Sequence, residues 1–163
     1  GLGGKTFASV QGALKRVGIT VNSLPGDAAS YYSSWIGSPK NIVDKKIGIA
    51  VAGWGADFPT PFGFWNSIAN GKLILPEGNS NYPSINDPAV NSALDAVSAE
   101  SDATKLQPLG ATLDQAVMGT ATYLPFLFGR SFWYRQPRLT NVYLNAGVGN
   151  YYDYVQIGTS DGK

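Results

Sequence analysis

The chain has 163 residues, of which 44% are hydrophobic and 14% charged, a composition that fits one globular domain with a substantial core. Its formal net charge is +1, and the absence of a basic cluster argues against nucleic acid or an anionic membrane as its main partner. It contains no cysteine and no histidine, which excludes disulfides, thiolate metal sites and a histidine general base, so we expect a protein that is not an enzyme and uses no metal or cofactor.

The first third of the chain alternates between helical and extended patterns. Apolar residues spaced by three and four predict an amphipathic helix that ends before Gly18. Asp27 is positioned to cap a second helix, and a short apolar run predicts a buried strand. In chain order the predictions are a helix over 7–17, a strand over 19–24, a helix over 28–36 and a strand over 47–52. This order is typical of an α/β layer.

The sequence of the second part of the chain predicts three helices and then two strands. The helices are 62–68, one opened by Asp87 and Pro88, and 109–117. The strands are 123–128 and 132–135. Pro108 is expected near the first turn of its helix, because a proline further inside removes a hydrogen bond. From Pro137 onward tyrosines lie among asparagines and glycines, and this tail has no obvious partner within the chain.

The segment with the strongest functional signal is Gly53-Trp54-Gly55-Ala56-Asp57, which directly follows the predicted strand over 47–52. Ligands of open α/β sheets bind just beyond the carboxyl ends of such strands. Trp54 and Asp57 therefore predict a site that holds a cation beside an aromatic wall. Taken singly, each has an ordinary alternative, since tryptophan often packs in a core and aspartate often hydrogen-bonds its own turn.

Two further groups are candidates for the same site. Tyr32 lies on the predicted second helix, where an aromatic side chain either packs in the core or lines a pocket. Asn81 and Tyr82 lie in a polar loop over 79–82 that either contacts a ligand or is a solvated connection. The candidate ligand-binding set is Trp54, Gly55, Asp57, Asn81, Tyr82 and Tyr32.

The segment Gly53-Trp54-Gly55-Ala56-Asp57-Phe58-Pro59 resembles a signature of the oligopeptide- and dipeptide-binding proteins of ABC importers, known as solute-binding family 5. Other pieces resemble that family in the same order along the chain. They are 14–19, Asn79-Ser80-Asn81-Tyr82, 86–90, Tyr123-Leu124-Pro125-Phe126, 137–142 and Tyr152-Asp153-Tyr154. Pro108 and Gly110 depart from the resemblance, because the family has an uninterrupted helix there.

The resemblance implies an α/β fold, one lobe of a periplasmic-binding-protein-like fold with a mixed sheet flanked by helices. It implies a ligand-binding lobe over 1–136, incomplete at its N-terminus, and a hinge and return segment over 137–163 that belongs to the partner lobe. Because family members are considerably longer, the chain is expected to be a C-terminal fragment. The missing N-terminal lobe, or a second copy of the chain, would then cover the tail tyrosines.

The resemblance also implies a function. The chain would bind short peptides in an interlobe cleft and deliver them to an ABC permease, outside the cytoplasmic membrane as a periplasmic protein or a surface lipoprotein. The aspartate that matches Asp57 would hold the ligand's α-amino group, and the tryptophan that matches Trp54 would lie against the ligand. No apolar stretch approaches the roughly 20 residues of a membrane span.

Three alternatives stay open at this point. The first is a carboxylate-dependent hydrolase with Asp57 as its acid or base, which would need a second acid at the site. The second is an interaction module in which Trp54 and Asp57 anchor a protein partner. The third is a binding protein for a non-peptide solute, such as a nickel chelate, an oligosaccharide or a natural product.

Overall fold

The computed structural model describes residues 2–127, 129–130, 132–145 and 151–162. The helices of the described residues are α1 (Leu2–Arg16), α2 (Pro39–Asp44), α3 (Pro61–Ala69), α4 (Pro88–Ala99) and α5 (Ala103–Gly119), with a π-helical turn over Tyr31–Trp35 and a 3-10 turn over Gly71–Leu73. The strands are β1 (Leu139–Thr140), β2 (Leu144–Asn145), β3 (Tyr151–Tyr152) and β4 (Gly158–Thr159). The strands form two antiparallel pairs, β1 with β4 and β2 with β3.

The core lies where α3, α4 and α5 pack together. Each of these helices contributes one apolar stripe, as the spacing of three and four residues predicts. The buried members of the cluster are Ala69, Ile85, Val90, Leu94, Val97, Leu113 and Val117. Tyr123 packs against this cluster, and its hydroxyl donates to the backbone oxygen of Ile68 at 2.6 Å. This bond attaches the segment that follows α5 to the end of α3.

Helix α4 begins as the sequence predicts. Pro88 occupies the first turn, and the Asp87 carboxylate accepts from the backbone N–H groups of Ala89 at 2.8 Å and Val90 at 3.2 Å. These donors have no partner within the helix, so the cap satisfies groups that would otherwise need water.

Removing this cap should destabilise the protein. We expect Asp87→Ala to lower the free energy of unfolding by about 1 kcal/mol, within a range of about 0.5–2. Urea denaturation measures the change, with Asp114→Ala as the control because Asp114 is an exposed position within α5. If the two variants lost the same stability, the cap would not be the cause.

Helix α5 begins earlier than the sequence analysis predicts. The Asp102 carboxylate accepts from the backbone N–H of Thr104 at 2.9 Å, and the helix starts at Ala103. Pro108 therefore lies inside the helix, and its predicted place near the first turn is wrong. The cap at Asp102 and the packing of Leu106 against the core outweigh the one backbone hydrogen bond that proline removes.

Packing explains why a glycine occupies position 110, where the family that the sequence resembles has an ordinary helix. Gly110 is buried, and a Cβ atom there would lie 2.5 Å from Cγ of Pro61. Only glycine lets α5 approach the first turn of α3 this closely, because any side chain would clash. The helix is therefore continuous through both unusual residues, contrary to the expected interruption.

The four predicted strands are irregular segments without a strand ladder. Residues 19–24, 47–52, 123–127 and 132–135 pair with no other described strand, and Phe128 lies outside the described residues. Ile49 and Val51 are 57% and 60% exposed, so the expected burial of the run over 47–52 is wrong for this chain. An apolar pattern records a preference for burial, whereas burial itself requires a neighbouring strand.

The tail packs partly against the segment just before it, so it has a partner within the chain that the sequence does not reveal. The Trp133 ring contacts the rings of Tyr151 and Tyr152 at centroid distances of 5.6 and 5.0 Å, and the Tyr152 hydroxyl donates to the Tyr134 backbone oxygen. Tyr151 and Tyr154 are exposed, as expected, whereas Tyr152 is half-buried. Part of the predicted tail, residues 146–150, lies outside the described residues.

Across the part of the chain that the structure describes, each helix is too short or too polar to cross a bilayer.

Candidate functional site

A cavity of about 510 Å³ opens beside the Gly-Trp-Gly turn. Three separate chain segments form its walls: the π-helical turn over Tyr31–Trp35, the segment over 51–54, and the loop over 78–82. Its lining residues are Tyr32, Ser33, Gly53, Trp54, Gly78, Ser80 and Tyr82. The cavity is largely open to solvent, so on this chain it is a groove with one open side.

Two tyrosines of the π-helical turn hold the segment over 51–54 in place. The Tyr31 hydroxyl donates to the backbone oxygen of Val51 at 2.9 Å. The backbone N–H of Gly53 donates to the Tyr32 hydroxyl at 3.4 Å. These two bonds fix the backbone immediately before Trp54, whose side chain stays 36% exposed at the cavity wall.

Backbone hydrogen bonds fix the third wall. The N–H of Gly78 donates to the oxygen of Ser33 at 2.7 Å, and the N–H of Asn79 donates to the oxygen of Gly37 at 2.9 Å. The loop therefore attaches to the same turn that carries Tyr32. All three walls are thus connected through one short stretch of chain.

Asn81 has a different place from the other candidates. Its side chain is fully buried, its amide nitrogen donates to the oxygens of Asn70 and Ile85, and its amide oxygen accepts from the N–H of Ile85. The amide is thus used inside the loop that carries Tyr82. Asn79, also buried, donates to the backbone oxygen of Asn81 at 2.6 Å.

The tyrosines of the cavity form a ring cluster. Tyr31 and Tyr32 meet edge to face at 5.2 Å, and Tyr32 and Tyr82 lie 6.0 Å apart with a tilt of 41°. Burial raises the pKa of Tyr31 and of Tyr82 above the ordinary value for tyrosine. Both phenols therefore stay neutral at physiological pH, and the cavity wall gains no negative charge from them.

Asp57 lies three residues beyond the cavity wall and is exposed. Its backbone N–H donates to the oxygen of Gly63 at 3.0 Å, which attaches it to the first turn of α3. The ion pairs recorded among the described residues join Lys40 to Asp44, Lys72 to Asp95 and Arg138 to Asp161, and none of them includes Asp57. Gly55 is also exposed and lies outside the cavity lining.

The structure thus brings Tyr32, Trp54 and Tyr82 together at one cavity, with Asp57 and Gly55 on the adjoining segment and Asn81 beneath the loop. Ser80, which also lines the cavity, belongs to the polar loop over 79–82 that the sequence indicates as a possible ligand contact. Ser33 and Gly78 line the cavity as well and are not indicated by the sequence, although Ser33 adjoins the candidate Tyr32. Gly78 carries no signal of its own beyond a positive φ of 64°.

The other carboxylates near the predicted helices have local roles. Asp95 pairs with Lys72 at 2.7 Å, Asp102 caps α5, and Glu100 accepts from the backbone N–H groups of Ser101 and Asp102. Within the described residues, no group of three or more acidic side chains is arranged to hold a metal ion.

Comparison with known proteins gives one informative result. No protein-family model and no curated protein sequence matches the chain. Among solved structures, the chain is similar to a protein named "Clavulanic acid biosynthesis oligopeptide binding protein 2", with a TM-score of 0.88 and 33% sequence identity over 93% of this chain. The match spans 28% of the length of that protein. The chain therefore has the α/β fold of one lobe of an oligopeptide-binding protein.

Proposed function

We propose that this chain is the ligand-binding lobe of an ABC-importer solute-binding protein and that it binds short peptides. The observation that carries the proposal is the arrangement at the Gly-Trp-Gly turn. An aromatic cavity opens there, and the exposed carboxylate of Asp57 lies on the adjoining segment. The similar protein is named an oligopeptide-binding protein, which supports a peptide as the ligand.

The chemistry of Asp57 fits a peptide's N-terminus. A carboxylate that enters a closing cleft needs a cationic partner, and a ligand ammonium group supplies one. A charge-assisted hydrogen bond of this type contributes about 1.5–3 kcal/mol. We propose that Trp54 covers the apolar part of the ligand, which its partial exposure at the cavity wall supports.

The proposed role of Asn81 is indirect. Its amide is occupied by Asn70 and Ile85, so we propose that Asn81 holds the loop that presents Tyr82. Gly55 is proposed to let the turn between Trp54 and Asp57 pass close to a ligand, since it has no side chain and a Cβ there would meet nothing within 4 Å.

A second lobe is part of the proposal. The chain corresponds to 28% of the similar protein, so the remainder of a comparable protein would supply the opposite wall of the cleft. The exposed apolar residues Ile49, Val51, Leu124 and Leu127 support this, because they lie on segments that pair with no described strand. A second copy of the chain is the other candidate for this role. Delivery to a permease, outside the cytoplasmic membrane, follows from the same proposal.

Calorimetry on the protein as its own gene encodes it tests the function. We expect Ala-Ala-Ala to bind and maltotriose and a nickel–citrate complex not to bind, because only the peptide presents an ammonium group. Binding of the sugar or the chelate without the peptide would contradict the proposal and favour a non-peptide solute. Hydrolysis of the peptide during the titration would favour the carboxylate-dependent hydrolase instead.

A further inference from the structure

The cavity beside Asp57 has aromatic walls and no charged lining residue. The rings of Tyr32, Trp54 and Tyr82 come from three separate segments, and the other lining residues are serines and glycines. A charged side chain that entered would lose hydration without gaining an ionic partner in the wall. An aromatic side chain would bury a large apolar surface and meet the rings in offset or edge-to-face contacts.

The position of the cavity relative to Asp57 limits which ligand residue can enter it. Trp54 lines the cavity and Asp57 follows three residues later. An extended chain advances at most about 3.6 Å per residue, so the two Cα atoms lie within about 11 Å of each other. A peptide whose α-amino group is held by Asp57 therefore has the side chain of its first or second residue within reach of the cavity.

The backbone on both sides of Tyr82 is held by hydrogen bonds. Its loop is attached through Gly78 and Asn79 to the π-helical turn, and the buried amide of Asn81 holds the next turn of the same loop. Tyr82 itself is half-buried and faces the Tyr32 ring. Because this backbone is held in place, the Tyr82 ring forms part of a preorganised cavity wall. A preorganised wall favours selective binding.

We propose that this cavity selects peptides with an uncharged aromatic side chain at the first or second residue, and that Tyr82 determines this specificity. The proposal rests on the proposed peptide-binding function. It adds to that function a class of preferred peptides, and it assigns the selection of these peptides to the side chain of Tyr82.

A series of tripeptides tests the selectivity by calorimetry on the protein as its gene encodes it. The series is Ala-Ala-Ala, Phe-Ala-Ala, Ala-Phe-Ala, Lys-Ala-Ala and Glu-Ala-Ala. We expect one of the two phenylalanine peptides to bind at least tenfold more tightly than Ala-Ala-Ala, which corresponds to about 1.4 kcal/mol. The lysine and glutamate peptides should bind no more tightly than Ala-Ala-Ala.

Variants of Tyr82 test its role. Tyr82→Leu should reduce the preference for the phenylalanine peptide to less than threefold, and Tyr82→Phe, which keeps the ring, should retain it. Tyr134→Leu is the matched control, because Tyr134 is 90% exposed and lies outside the cavity lining, and it should also retain the preference. Circular dichroism verifies that each variant is folded, and the wild-type series decides the selectivity if Tyr82→Leu does not fold.

Two results would overturn the proposal. One is equal affinity of the wild-type protein for the alanine, phenylalanine and charged peptides. The other is an unchanged phenylalanine preference in Tyr82→Leu. Failure of all five peptides to bind is a separate result that contradicts the proposed function itself.

Discussion

Replacing Asp57 by asparagine should weaken the binding of a short peptide at least tenfold. The substitution keeps the size of the side chain and removes its charge, so the ligand ammonium group loses its ionic partner. Removing one partner of a desolvated charge pair costs about 2–5 kcal/mol. Because Asp57 is exposed and none of the ion pairs recorded among the described residues includes it, the free energy of unfolding should change by less than about 0.5 kcal/mol.

Calorimetry with Ala-Ala-Ala measures the affinity, and urea denaturation measures the stability. Asp114→Asn is the matched control, since it removes the same charge from an exposed position on α5. Asp114→Asn changes the net charge by the same amount as Asp57→Asn, and it should bind the peptide with wild-type affinity. Equal affinities of Asp57→Asn and the wild-type protein would show that Asp57 does not hold the ligand.

Asn81→Ala should cause the largest loss of stability among the predicted substitutions. The Asn81 amide donates to Ile85 at 2.8 Å and to Asn70 at 3.3 Å and accepts from the N–H of Ile85 at 2.9 Å. Alanine leaves the backbone N–H and the backbone oxygen of Ile85 without these partners, whereas the oxygen of Asn70 still accepts from the N–H of Leu73. Each unsatisfied buried group costs about 1–3 kcal/mol. We expect a total loss of about 2–4 kcal/mol, because the two costs are not additive.

Urea denaturation measures this loss, and Asn22→Ala is the control because Asn22 is exposed. Asn22→Ala should change the free energy of unfolding by less than about 0.5 kcal/mol. A similarly small change in Asn81→Ala would mean that water replaces the amide at little cost. The loop would then not depend on Asn81 for its shape.

The helices of this chain follow from local sequence chemistry. Asp87 followed by Pro88 marks the start of α4 in sequence and in structure, because both residues satisfy requirements of a helix end that neighbours in the chain can meet. Pro108 predicts a later start for α5 than the structure has, because a proline is unfavourable inside a helix. The cap at Asp102 and the packing of the partly buried Leu106 together outweigh one missing backbone bond.

The strands could not be predicted in the same way. The apolar run over 47–52 is not a strand in the structure, because a strand needs a hydrogen-bonded neighbour and the described residues provide none beside it. Its apolar side chains are exposed for the same reason. A sequence pattern reports what a segment prefers to bury and does not identify the neighbour that would bury it.

The candidate site was predicted in part. Trp54 and Asp57 carry a signal in sequence because they follow an apolar run and stand between residues that bend the chain. The joining of Tyr32 and Tyr82 across one cavity depends on hydrogen bonds between distant backbones, such as that from Gly78 to Ser33, and no local pattern encodes them. The sequence does not predict the burial of Asn81, because burial is inferred from the periodic spacing of apolar residues and a polar loop has no such spacing.

The most direct test of the account compares Ala-Ala-Ala with N-acetyl-Ala-Ala-Ala, in which the ammonium group is replaced by a neutral amide. Calorimetry should give the wild-type protein at least tenfold higher affinity for the free tripeptide and Asp57→Asn a difference of less than threefold. Equal binding of the two peptides by the wild-type protein would contradict the claim that Asp57 recognises a peptide's amino terminus.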